Sequence, residues 1–104
     1  MFDPATRYIT CGINSELPAE IQMLLWLAID SVRITANDKL DYLQIFTFQK
    51  LSDDILAIRH EQEEPLRVRV HHTGYKEEYR SFLGEKVYVI DDGDHSTMLF
   101  AHEY

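Results

Sequence analysis

The chain has 104 residues, with 45 % apolar and 27 % charged side chains. That is enough for one folded domain spanning residues 1–104, too short for two, and too apolar for a disordered chain. Its formal net charge of −8 sets it against phosphate backbones and anionic lipid surfaces, so neither nucleic acid nor a membrane is an expected partner.

Residues 1–6 read as a loose arm. Asp3 and Pro4 interrupt it, and without an apolar stretch it does not read as a signal peptide. Tyr8 to Cys11 is a short β-rich run that stops at Gly12. Cys11 is the lone cysteine, which excludes an internal disulfide and a thiolate zinc cluster. In an apolar strand it is expected to be a small buried hydrophobe rather than a nucleophile. A helix follows from Pro18 to Arg33. Pro18 suits its first position and Glu20 favours its positive end. Leu17, Ile21, Leu24, Leu25, Ala28, Ile29 and Val32 recur at helical spacing. Met23, Trp26 and Leu27 widen the apolar face and are the candidate partner-binding patch. The longest apolar run, Met23 to Ile29, is far below the roughly 20 residues of a bilayer span, and the expected compartment is the cytoplasm.

Asn37 and Asp38 mark a loop. Tyr42 to Phe48, Ile55 to Glu61 and Leu66 to His72 have the composition and alternation of strands. Matching apolar faces across the Gln62–Pro65 loop pairs Ile58 with Val70 and Arg59 with Arg69. Arg59, Arg67 and Arg69 then share the outer face with Glu61, a candidate site for an anion. Tyr75 to Leu83 fits both helical and strand spacing. Thr73-Gly74 as a turn favours the strand. Lys86 to Asp91 and Thr97 to Glu103 form a last hairpin across Asp92-Gly93-Asp94. Their continuous apolar runs are those of strands covered on both faces, and one helix covers only one.

Asp91, Asp92, Asp94 and His95 offer oxygen and nitrogen ligands to a divalent ion, and a cation would relieve their mutual repulsion. No EF-hand spacing is present, and alternating residues point to opposite faces. The same residues serve equally as a solvated turn. Asp94-His95-Ser96 lacks the spatial arrangement of a triad. His60, His71, His72, His95 and His102 are too dispersed in sequence to define a zinc site, and His71 and His72 face opposite ways. Their number predicts pH sensitivity between about 5 and 7.

The run Val87-Tyr88-Val89-Ile90-Asp91-Asp92-Gly93-Asp94-His95-Ser96-Thr97-Met98-Leu99, the ending Glu103-Tyr104, the opening Arg7-Tyr8-Ile9-Thr10 and His60-Glu61-Gln62-Glu63-Glu64-Pro65 resemble a family of small Gram-positive bacterial proteins filed as a domain of unknown function. The resemblance spans nearly the whole chain. It implies a bacterial protein and no catalytic residue, cofactor or partner.

The expected fold is α+β, with one long N-terminal helix on a mostly antiparallel sheet of about five or six strands. The expected function is a small interaction or regulatory protein acting on a protein partner or a second copy, without a cofactor and not an enzyme. The alternative is a metal-assisted enzyme or metal sensor built on the Asp91–His95 turn with a divalent metal.

Overall fold

The computed structural model describes residues 1–35 and 39–104. The loop expected at Asn37 and Asp38 lies outside the described residues. Six strands, β1 (Arg7–Ile9), β2 (Leu43–Lys50), β3 (Ile55–Gln62), β4 (Arg67–Gly74), β5 (Lys86–Asp91) and β6 (Ser96–Phe100), form one sheet in the order β1-β6-β5-β2-β3-β4. Among the described residues only the β1–β6 pair is parallel. The α+β class and the antiparallel character agree with the sequence reading.

The helical part does not. It is divided into α1 (Cys11–Glu16) and α2 (Ala19–Thr35), with short 3-10 turns elsewhere. The break is at Leu17, whose φ of −99° and ψ of 117° are extended. The ring of the following proline disfavours the helical region for the residue before it. Thr10 caps α1, its Oγ1 accepting from the Ile13 N–H at 3.2 Å, which is why Cys11 opens a helix instead of ending a strand. Cys11 is accordingly exposed, and the expectation of a buried thiol is corrected.

Two further expectations fail. Glu77–Phe82 is a 3-10 helix, not a strand. Tyr79 and Phe82, three residues apart, both reach the core, and residues at that spacing eclipse on one side of a 3-10 turn. The N-terminal arm is not loose. Phe2 is fully buried in the core, and its amide donates to Asp91 Oδ2 at 2.7 Å.

Cross-strand rows define the two faces of the sheet. On the inner face one row runs Phe100, Val87, Phe46, His60, Arg69. On the outer face the matching row runs Leu99, Tyr88, Ile45, Glu61, Val68. Both helices cover the inner face only. Ile13, Ile21, Leu25 and Ile29 pack there against Phe46, Phe48, Val87 and Phe100. Among the described residues no helix is long and apolar enough to cross a membrane.

The β3–β4 register is one residue away from the expected one. Ile58 pairs with His71, and Arg59 with Val70. The expectation assumed that the valines of β4 seek the core. β4 is an edge strand, however, and its inward positions open on solvent at the sheet margin. Arginine places its stem there and keeps its head wet. Arg69 reaches Ser31 Oγ at 3.2 Å and Thr35 Oγ1 at 3.3 Å on α2. Val68 and Val70 are left exposed on the outer face.

Candidate interaction surfaces

The inner face changes character toward β3 and β4, where Gln44, His60 and Gln62 take the alternating positions that Phe46, Ile58 and Leu56 hold elsewhere. All three polar side chains are buried. Gln44 Nε2 donates to Gln62 Oε1 at 2.9 Å and to the Asp41 carbonyl at 2.8 Å. Its Oε1 is thus left as an acceptor, 2.6 Å from His60 Nε2. That fixes the His60 proton on Nε2. Gln62 Nε2 in turn donates to the carbonyls of Lys39 and Pro65, at 3.1 and 2.8 Å. The amides clamp both loops at this end of the sheet.

Burial, reinforced by His71, Arg69 and Arg67, pushes the His60 pKa down to about 4. The imidazole is neutral at pH 7 and stacks on Phe46 at 4.4 Å. Its Nδ1 is buried without a partner. The crevice bounded by Gln44, His60, Arg67 and Arg69 has no room for a water molecule. A general base needs access to the proton that it takes; His60 has none, and its role is structural. The sequence did carry a signal for this layer: Gln44, His60 and Gln62 fall in phase with the buried apolar positions of β2 and β3.

The arginines considered together are separated by the sheet. Arg59 is on the outer face, 3.1 Å from Glu61 Oε2. Arg67 and Arg69 are on the inner face. An anion site using all three does not form.

The proposed apolar patch is also divided. Met23 and Leu27 are 63 and 56 % exposed. Trp26 is half-buried, with the Arg7 guanidinium 4.7 Å above its ring. Arg7 is held in place by an ion pair with Asp30, whose carboxyl lies below its usual range through the Arg7 hydrogen bond. Met23 and Leu27 instead overhang a groove between α2 and β4. It consists of cavities of 220 and 530 Å³ that share Leu24, Leu27 and Thr73. His71 and Ser31 line one end, Tyr75 and Tyr79 the other.

The acidic turn is built from its own backbone. Gly93 has a φ of +100°, the left-handed conformation that glycine tolerates. Asp91 Oδ1 accepts from Gly93 N at 2.8 Å, and its Oδ2 holds Phe2 N. Asp92 Oδ1 accepts from the amides of Asp94 and His95, both at 3.0 Å. Among the described residues no three His, Cys, Asp or Glu side chains converge as a cation site; the structure does not gather Asp91, Asp92, Asp94 and His95 into one. Asp91→Ala is expected to lower stability by about 2 kcal/mol, since a carboxylate–amide bond contributes roughly 1.5–3 kcal/mol. Asp94→Ala, at an exposed side chain, should change it by less than about 0.5 kcal/mol. Urea unfolding of the two variants checks the contrast.

The outer sheet face carries no helix among the described residues. Tyr8, Thr97, Ile90 and Leu43 form one row, and Leu99, Tyr88 and Ile45 the next. No described helix or strand packs over them. The Tyr104 ring stands edge-on to Tyr88 at 5.9 Å. Of the outward-facing strand residues only Lys86, Arg59 and Glu61 carry a full charge, and the last two pair with each other.

The fold is of the two-layer α+β class, one six-stranded sheet with helices on one face among the described residues. Residues 6–103 match the model of the family described as Staphylococcal protein of unknown function (DUF960), and the chain belongs to that family. It is also similar to a solved structure titled as a protein of unknown function from Enterococcus faecalis, at 24 % identity and a TM-score of 0.79, over 99 % of this chain and 94 % of that one. That likeness shows a shared fold. No curated protein matches the chain.

Proposed function

We propose that the protein works through protein contacts, as a small interaction or regulatory protein of the cytoplasm, and that its open sheet face docks on a second copy of itself. The observation that carries this reading is the apolar outer face, with a helical layer on the other side of the sheet alone. Sheets normally bury an apolar face against a second layer. Charge depletion at the centre with aromatic residues around it is the composition of an interface core. The molecule measures 37 × 27 × 21 Å. The short dimension is that of two layers, so the sheet face has room for the roughly 800 Å² per partner of a standard interface. The net charge of −8 opposes pairing at low salt but is screened beyond about 8 Å at physiological ionic strength, and the face itself carries few charges.

Sedimentation velocity is expected to give a species of twice the 12.2 kDa chain mass at micromolar concentration. Ile45→Lys places a charge at the centre of the face and should weaken the dimer at least 100-fold. Ile45 is half-buried on the outer face, and its replacement is expected to keep the fold, as judged by circular dichroism. Leu99→Lys is the second variant. A wild-type chain that stays monomeric up to millimolar concentration contradicts the proposal.

A further inference from the structure

We infer that the free edge of β4 accepts a seventh strand: an extended segment of a partner protein whose inward-facing residues, every second one along the chain, are acidic at one end and large and apolar at the other. The inference rests on the reading of the protein as an interaction module, but not on its dimerisation.

β4 ends the strand order, and its eight residues pair with β3 without interruption from Gly74 to Arg67. Among the described residues no strand lies on its other side. It contains no proline and no bulge, so its outward N–H and C=O groups form a regular template. α2 lies beside this edge, and the two elements line a common groove. Met23 and Leu27, both largely exposed, line this groove opposite Thr73 and Gly74. Side chains of an added strand that point to the inner face would fill that space and cover both residues. The two cavities together have the size of a ligand pocket, roughly 300–1,000 Å³.

Charge selects the occupant. The inner side of β4 presents Arg67, Arg69 and His71. Two β4 strands from separate copies, paired antiparallel, would set these residues against each other, and like charges directly opposite are destabilising. A segment with Asp or Glu at the positions facing Arg67 and Arg69 gains instead. Arg69 is already oriented by Ser31 and Thr35. His71 Nε2 is buried at this end without a partner. The other end of the groove is apolar and aromatic, with Leu27, Tyr75 and Tyr79. The partner segment therefore places its carboxylates at the Arg67–His71 end and its large apolar side chains beside Leu27.

The test is selection from a displayed library of random ten-residue segments against the intact protein, followed by synthesis of the best binder. Enrichment of segments whose every-second residues are acidic toward one end and large and apolar toward the other is expected. Binding should slow hydrogen exchange of β4 amides. Leu27→Glu and Arg69→Glu should each weaken it at least tenfold, and Met23→Glu replaces Leu27→Glu if that variant is misfolded. Ile45→Lys should leave it unchanged, which separates this site from the sheet face. Enrichment of basic segments, indifference to the groove variants, or protection confined to other strands would overturn the inference. So would a dimer abolished by Leu27→Glu and not by Ile45→Lys, since a second copy would then occupy the groove.

Discussion

Replacing Phe2 by alanine is expected to destabilise the protein by about 3–5 kcal/mol, the range for deleting a buried aromatic ring. For a domain of this size that is a fall in Tm of at least about 12 °C, at roughly 4–8 °C per kcal/mol. The ring is fully buried. The residue is also tied through its backbone at both ends, with its amide on Asp91 Oδ2 and its carbonyl accepting from Arg7 Nη2 at 2.8 Å. Its φ of +58° is unusual for a residue with a side chain, and such a conformation persists only where its surroundings hold it. Alanine keeps the unfavourable φ and loses the ring that offsets it. Because Asp91 anchors the same arm, Phe2→Ala and Asp91→Ala should be non-additive, the double variant losing less than the sum. Urea unfolding of the four proteins measures both quantities. A Phe2→Ala loss below about 1 kcal/mol would place the ring outside the core.

Acid should destabilise the fold well before its carboxylates titrate. His60 is held neutral with a pKa near 4, against 6.5 for the ordinary group. The unfolded chain therefore binds a proton that the folded chain refuses, between those two values. Stability from this source is complete above about pH 6.5, falls as pH drops through the window, and levels off below about 4. Linkage gives a loss of about 2 kcal/mol between pH 7 and pH 5. His71, lowered mainly by burial, acts in the same direction. The lowered carboxyls work in a separate window. Asp30 and Asp92 stabilise the fold above the ordinary carboxylate pKa, and that contribution is lost only as pH falls below about 4. His60→Gln should remove most of the loss between pH 7 and 5, leaving the part due to His71, and should leave the lower limb. Wild-type stability that is unchanged from pH 7 to 5 would show that the imidazole is reached by solvent.

What could be read from the sequence follows the reach of each signal. Helical periodicity located α2 because its buried residues recur at the spacing of one helix face. Aromatic and β-branched composition located β2 and β3, alternation located β4, and continuous apolar runs either side of a tight turn located β5 and β6. The start of α2 was legible from Pro18, but α1 escaped because Tyr8 to Cys11 read as a β-rich run, and the Thr10 cap that opens the helix was not recognised. The β3–β4 register escaped for a different reason. The reading assigned valine inward and arginine outward, and an edge strand beside a helix reverses that preference when Ser31 and Thr35 are there to receive the guanidinium. Phe2 is anchored by contacts to Asp91, 89 positions along the chain, which no local pattern encodes. The same limit applies to the α2–β4 groove, since Met23 and Leu27 become its rim only through the placement of β4. The open face was legible in part. The apolar runs of β5 and β6 called for cover on both sides, and the structure puts helices on one.

The most direct measurement of where this protein makes its contact is an isotope-filtered nuclear Overhauser experiment on a mixture of labelled and unlabelled chains. Contacts between copies should connect the methyl groups of Ile45, Ile90 and Leu99 with the outer face of the other molecule. Intermolecular contacts absent from these residues, or found instead at Met23 and Leu27, would contradict docking through the sheet face.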